Sequence, residues 1–207
     1  MIQLYGLRLS NYYSLVKALL IEKGVEFEEV KAPPTQEPDN LARTPMGKMP
    51  SIGVDGQYMS ESLAIAAYLD RLQPDPALLP SDPFQAGKVV ELICHLKLDV
   101  ELVARRCLPE VLFNTPVSEE TKSSTQADLA KGMAAVDRIF VGAPYAAGDN
   151  LTLADFYTFY VFGLANTISK NLFGEDLLDG REKIQAVMAA MAEHPSVAQV
   201  EADKAQS

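Results

Sequence analysis

The sequence predicts a small α/β domain followed by an all-helical domain, on three observations. Strand and helix patterns alternate from residue 2 to about residue 72. The stretch QPDPALLPSDPF (73–84) then places four prolines in twelve residues, and the style of the chain changes across it. Beyond it, every apolar pattern has helical spacing. The expected layout is an α/β domain over 1–76, a linker over 77–84 and a helical domain over 85–207.

Each element has a local reason. IQLY (2–5) is a short apolar strand. NYYSLVKALLIEKG (11–24) reads as a helix with Leu15, Val16, Leu19 and Leu20 on one face, and Gly24 is placed to end it. VEFEEV (25–30) alternates as a half-buried strand, and a proline-bearing stretch (32–46) holds one short helix around Leu41 and Ala42. PSIGV and QYM flank Asp55-Gly56, a strong hairpin signal. A helix is expected from Ser60 to about Leu72. Strand, helix, strand, loop, hairpin, helix is a thioredoxin-like order. The second domain reads as a long helix over 84–114 broken near Pro109, a helix over 118–140, one from Thr152, and a group over 181–203. Leu129, Met133, Val136 and Phe140 mark the buried face of the second of these.

Composition narrows the classes. Hydrophobic residues at 48% and charged residues at 22% are ordinary for a soluble globular chain. A net charge of −10 argues against non-specific nucleic-acid binding, which needs clustered Lys and Arg. Cys94 and Cys107 form no CxxC pattern and suit a reducing compartment. No leader pattern opens the sequence, and its most apolar window (151–166) contains Asp155 and is too short for a membrane span. A cytoplasmic protein without a resident metal is expected.

One helix start is doubly specified. In LTLADF, Thr152 caps while Asp155 reaches back to its amide, with Leu151 and Phe156 at the staple positions. Asp155 is therefore read as a folding signal rather than a catalytic acid.

Chemistry can gather at three loop-to-helix junctions of the first domain: RLSNYY (8–13), GKMP (47–50) and SESLAI (60–65). Helix N-termini carry unsatisfied amides and a partial positive charge, so both helix starts favour anions. Pro50 by itself is a strand-start proline, since proline cannot donate to a sheet ladder. Ser60-Glu61-Ser62 by itself is a good helix cap.

KMP before a D-G hairpin, SES opening the next helix, the proline-rich linker and LTLADF in a helical second domain together resemble the glutathione S-transferase superfamily. The resemblance spans essentially the whole chain. It implies a thioredoxin-like domain with an all-helical partner domain, glutathione as co-substrate, a small hydrophobic electrophile, and a homodimer. It further implies a cis Met49–Pro50 bond that presents the Met49 backbone to the cysteinyl residue of glutathione. Ser62 then binds the γ-glutamyl carboxylate, Glu61 the γ-glutamyl amine, and Lys48 stands near the glycyl end.

Activation of the thiol is the harder step. A cysteine thiol has a pKa near ~8.5, and lowering it by about two units takes roughly 2.7 kcal/mol. A helix N-terminus supplies about 0.3–1 kcal/mol, up to ~2 when partly buried. A hydroxyl donating to a charged acceptor adds about 1.5–3 kcal/mol. One hydroxyl at the first helix start is enough. By the resemblance Ser10 matches the catalytic serine of theta- and zeta-like classes, followed in order by Tyr12, Asn11 and Tyr5. Tyr5 otherwise reads as a packed strand residue, while Tyr12 and Tyr13 are alternatives for walling the electrophile. No cysteine stands at 10–13, so disulfide-exchange chemistry is not expected. Tyr12, Leu102, Arg106 and Phe113 are the candidate electrophile contacts; helical spacing otherwise makes the apolar ones core, and Arg106 a surface ion pair. His95 and His194 have no metal-ligand spacing.

Overall fold

A computed structural model describes residues 1–205. The chain divides into two compact units, one of Met1–Leu78 joined by the segment from Glu193 onward, the other Leu79–Ala192.

The first unit is built on a four-stranded sheet, in the order β2-β1-β3-β4. The elements run β1 (Ile2–Gly6), α1 (Asn11–Glu22), β2 (Phe27–Lys31), α2 (Pro38–Arg43), β3 (Ser51–Val54), β4 (Gln57–Ser60) and α3 (Ser62–Leu72). β1 is parallel to β2 and antiparallel to β3, and β3 and β4 form the hairpin at Asp55-Gly56. Asp55 and Gly56 take φ of 49° and 79°, the left-handed pair a two-residue hairpin turn requires. The buried Leu15, Val16, Leu19 and Leu20 of α1 meet the same core as Leu4, Ile52, Ile65 and Leu69.

The mixed α/β order is as the sequence predicts, with local differences. The helix expected from Ser60 begins at Ser62, because Ser60 is drawn into β4 by pairing with Ser51. The proline-rich stretch is tied down rather than loose: Asp70 Oδ1 accepts from Leu78 N at 2.9 Å and from the buried Lys23 Nζ at 2.5 Å, and Lys23 also donates to the Pro76 carbonyl. The last helix, α10 (Pro195–Ala205), was expected with the helical domain but packs on α1 and belongs to the first unit.

The second unit is helical: α4 (Pro83–Cys94), a π-helical segment His95–Glu101, α5 (Leu102–Ala104), a 3-10 turn Arg105–Cys107, α6 (Leu108–Phe113), α7 (Glu119–Ile139), α8 (Leu153–Phe173) and most of α9 (Glu182–Glu193). The expected break near Pro109 is present: a 3-10 turn over Arg105–Cys107 interrupts the helix, and α6 starts anew with Pro109 in its first turn, where its missing N–H costs nothing. The π segment before it is a second irregularity that the sequence pattern does not signal. Gly132 of α7 lies against that π segment; a Cβ on it would stand 2.1 Å from the Asp99 carbonyl oxygen. Leu129, Met133, Val136 and Phe140 are buried as their spacing predicts. At the start of α8, buried Asp155 accepts from Thr152 N at 2.8 Å, Thr152 Oγ1 at 3.1 Å and Ala146 N at 2.7 Å. No helix among the described residues is long and apolar enough to cross a membrane.

Candidate functional site

Strand register brings the three junctions of the first unit together. Tyr5 of β1 pairs with Val30 of β2 and with Ser51 of β3, and Ser51 pairs with Ser60 of β4. These residues form one row across the sheet, with neighbouring strands about 4.8 Å apart. At that end β1 leaves toward Ser10, β3 arrives from Gly47–Pro50, and β4 leaves toward Glu61 and Ser62. Residues far apart in sequence thus line one end of the sheet.

Ser10 caps α1 with φ −79° and ψ 123°, and its hydroxyl accepts from Tyr13 N at 3.4 Å. A tight turn sets the loop ahead of it, with Ser10 N donating to the Leu7 carbonyl at 3.0 Å. Asn11 and Tyr12 are half-buried on the first turn of α1. Tyr13 is 2% exposed and donates its hydroxyl to Glu29 Oε2 at 2.7 Å; burial, then that hydrogen bond, pushes its pKa up. Its ring is thus buried and its hydroxyl committed to β2. Tyr5 is half-buried, not in the core. Its hydroxyl donates to Gln3 Oε1 at 2.7 Å, its ring meets Tyr58 edge-on, and the Arg43 guanidinium lies 5.2 Å from the ring centre. Burial and Tyr58 raise its pKa, and its hydroxyl proton is already given to Gln3.

The Met49–Pro50 peptide is cis, with Met49 half-buried, Pro50 buried and Lys48 exposed. The preceding loop is held by Asn40, whose Nδ2 donates to the Thr35 carbonyl at 2.8 Å and the Gly47 carbonyl at 3.2 Å. Gly47 takes φ +63°, and a Cβ there would come 2.3 Å from the Thr35 carbonyl oxygen. No sequence signal pointed to Asn40.

Glu61 takes φ +70° and ψ 111°, a conformation that a non-glycine residue adopts at a cost of about 1–3 kcal/mol. It is exposed, while Ser62, the first residue of α3, is 5% exposed. The strained residue stands at the mouth of a helix whose amides favour an anion.

In the second unit, Leu102 and Phe113 are 53% and 70% exposed, so their helical spacing does not place them in a core. Arg106 Nη1 donates to Asp128 Oδ2 at 2.8 Å, the surface pairing its acidic surroundings suggested. Cys107 is buried and Cys94 half-buried. His95 Nδ1 pairs with Asp99 at 2.7 Å and His194 Nε2 with Glu22 at 3.3 Å. No group of three His, Cys, Asp or Glu residues that could hold a metal occurs among the described residues.

Sheet, helices and junctions define a two-unit protein of the thioredoxin-like plus helical class. Residues 4–77 match the family described as Glutathione S-transferase, N-terminal domain, and residues 108–204 match Glutathione S-transferase, C-terminal domain. The chain belongs to the glutathione S-transferase family. It is 39% identical to a glutathione S-transferase of Pseudomonas putida over 99% of this chain and 93% of that one. It is 28% identical to a maleylacetoacetate isomerase of Pseudomonas aeruginosa over 79% of this chain and 76% of that one. The crystal structure of a glutathione S-transferase from Methylobacterium radiotolerans in complex with glutathione sulfonate shares the fold. Its TM-score is 0.79 at 22% identity, covering 96% and 93% of the two chains.

Proposed function

We propose that the protein is a glutathione transferase that conjugates the glutathione thiolate to small hydrophobic electrophiles. The observation that carries this reading is the left-handed Glu61 directly before the buried Ser62 at the start of α3. A fold holds such a residue when the placement of its neighbours is worth more than the strain. In this reading Ser62 and the α3 amides hold the γ-glutamyl carboxylate, Glu61 holds the amine, and the Met49 backbone pairs with the cysteinyl residue. Lys48, exposed beside Met49, faces the glycyl end.

Ser10 donates to the sulfur, with Tyr12 and Asn11 as the neighbouring alternatives. Its hydroxyl only weakly engages Tyr13 N, so rotating toward a thiolate sacrifices little. The N-terminus of α1 adds its partial positive charge. The helical unit offers Leu102 and Phe113 as exposed apolar surface for the electrophile. The 39% identical relative bears the transferase name over nearly the full length. A cytoplasmic homodimer acting in detoxification is part of the same proposal.

Conjugation of glutathione to a chloronitroaromatic electrophile, followed by absorbance, tests the reading. Saturable turnover above the uncatalysed rate is expected; tight glutathione binding without turnover would make the protein a binder instead. A second reading, glutathione-dependent isomerisation, is favoured by the isomerase relative. Stoichiometry separates the two: a transferase consumes one glutathione per product, whereas an isomerase returns it after each cycle.

A further inference from the structure

A charged cluster lies beneath the loop that carries Ser10. Glu29 of β2 receives Arg8 in a two-pronged contact, Nε at 3.1 Å and Nη2 at 2.8 Å, together with the Tyr13 hydroxyl at 2.7 Å and Lys17 Nζ at 2.8 Å. Lys17 is buried in the middle of α1 and also reaches Asp203 Oδ2 of α10 at 2.6 Å. Arg8 Nη1 contacts the Asp203 carbonyl at 3.4 Å, and Ser14 Oγ donates to the Arg8 carbonyl at 3.3 Å. The start of the loop also packs on Tyr13. Gly6 takes φ +154°, and a Cβ there would press to 2.5 Å from the Tyr13 ring, so ring and loop are in close contact.

We infer that Glu29 is a positioning residue for Ser10, and that Asp203 on α10 shares this role through Lys17 and Arg8. The inference rests on the reading of Ser10 as the thiol-activating group. Arg8 lies two residues before Ser10, and Tyr13 is three residues after it. One carboxylate therefore fixes both flanks of the catalytic turn, and neither flank can move without breaking a charge-assisted hydrogen bond. Asp203 ties the terminal helix to the same buried lysine, so α10 supports the site from behind. A burial role alone would not need a two-pronged arginine contact at the loop itself.

The test compares Glu29→Gln, Arg8→Lys and Asp203→Asn with the wild type by ultraviolet titration of bound glutathione, steady-state kinetics and thermal melting. Glu29→Gln is expected to raise the pKa of the bound thiol by about half a unit to one unit. It should lower kcat about tenfold, the scale of a slightly displaced catalytic group, and leave glutathione affinity within about twofold. Arg8→Lys keeps the charge without the fork and should give a smaller shift in the same direction. A purely structural role would lower the melting temperature and leave the bound-thiol pKa untouched. That result in Glu29→Gln, while Ser10→Ala still raises the thiol pKa, would overturn the positioning role and leave the reading of Ser10 intact. If Ser10→Ala itself shifts neither pKa nor turnover, the reading of Ser10 fails and the positioning role fails with it. Should Glu29→Gln not fold, Asp203→Asn decides by the same two readouts.

Discussion

Glu61 and Ser62 stand on either side of the start of α3, the first exposed with φ +70° and the second 5% exposed as the opening residue of the helix. If the pair holds the γ-glutamyl end of glutathione, as proposed above, two substitutions separate strain from binding. Glu61→Gly relieves about 1–3 kcal/mol of backbone strain against about 0.5–1 kcal/mol of added chain entropy. The melting temperature should hold or rise while glutathione affinity falls. Ser62→Ala removes a hydrogen bond to a carboxylate worth about 1.5–3 kcal/mol, a loss of roughly 10- to 150-fold in affinity by calorimetry. Unchanged affinity in both variants would remove the pair from the site.

The loop before Met49 depends on Asn40 and Gly47. Gly47→Ala places a Cβ 2.3 Å from a backbone oxygen at a left-handed φ, so the loop must shift. Asn40→Ala leaves the Thr35 and Gly47 carbonyls without their donor, at a cost of about 1–3 kcal/mol. Both variants should melt earlier and bind glutathione more weakly, and NMR shifts at residues 47–50 would report the displacement.

Acid stability should carry a signature of Glu29. Burial pushes its carboxyl up, but hydrogen bonds from Arg8, Lys17 and Tyr13 and the Lys17 charge bring it down to about 2. Since an unfolded glutamate titrates near ~4.3, its stabilising contribution is complete above that value and is lost as pH falls toward about 2. Urea midpoints measured from neutral pH downward should decline more steeply for the wild type than for Glu29→Gln below ~4.3. The two curves should approach each other at the acid end. Parallel curves would contradict the assignment.

Asp155 should matter for folding and not for chemistry. Replacing it by alanine strands the buried Ala146 and Thr152 amides, at a cost of about 3 kcal/mol. A sharp fall in stability with kcat unchanged per folded molecule is expected. A selective loss of kcat would give it a role in the site.

Signals confined to a few neighbouring residues were legible in the sequence. The Asp55-Gly56 turn, the Thr152–Asp155 box and the spacing of Leu129, Met133, Val136 and Phe140 act within a turn or two of chain, and each appears where its chemistry puts it. What depended on distant partners was not. Ser60 joins β4 because Ser51 pairs with it across the hairpin, and α10 joins the first unit by packing on α1, with Val197 and Val200 buried and Asp203 paired to Lys17. Lys17 inside the apolar run SLVKALL was the one sequence clue to that cluster, since a lysine there needs a counter-charge. Asn40 and Glu29 gave no clue. One is an ordinary polar residue of the short helix α2 until Gly47 folds onto it, and the other an ordinary strand acid until Arg8 reaches it.

The central claim is that Ser10 lowers the pKa of bound glutathione. Ultraviolet difference titration of the complex, on wild type and on Ser10→Ala, tests it most directly. Ser10→Asn serves as a control, since asparagine retains a helix cap. The account predicts a bound-thiol pKa well below ~8.5 in the wild type, rising in Ser10→Ala by about one unit or more together with a fall in kcat. An equal, low pKa in both proteins would contradict it and move the role to Tyr12 or Asn11.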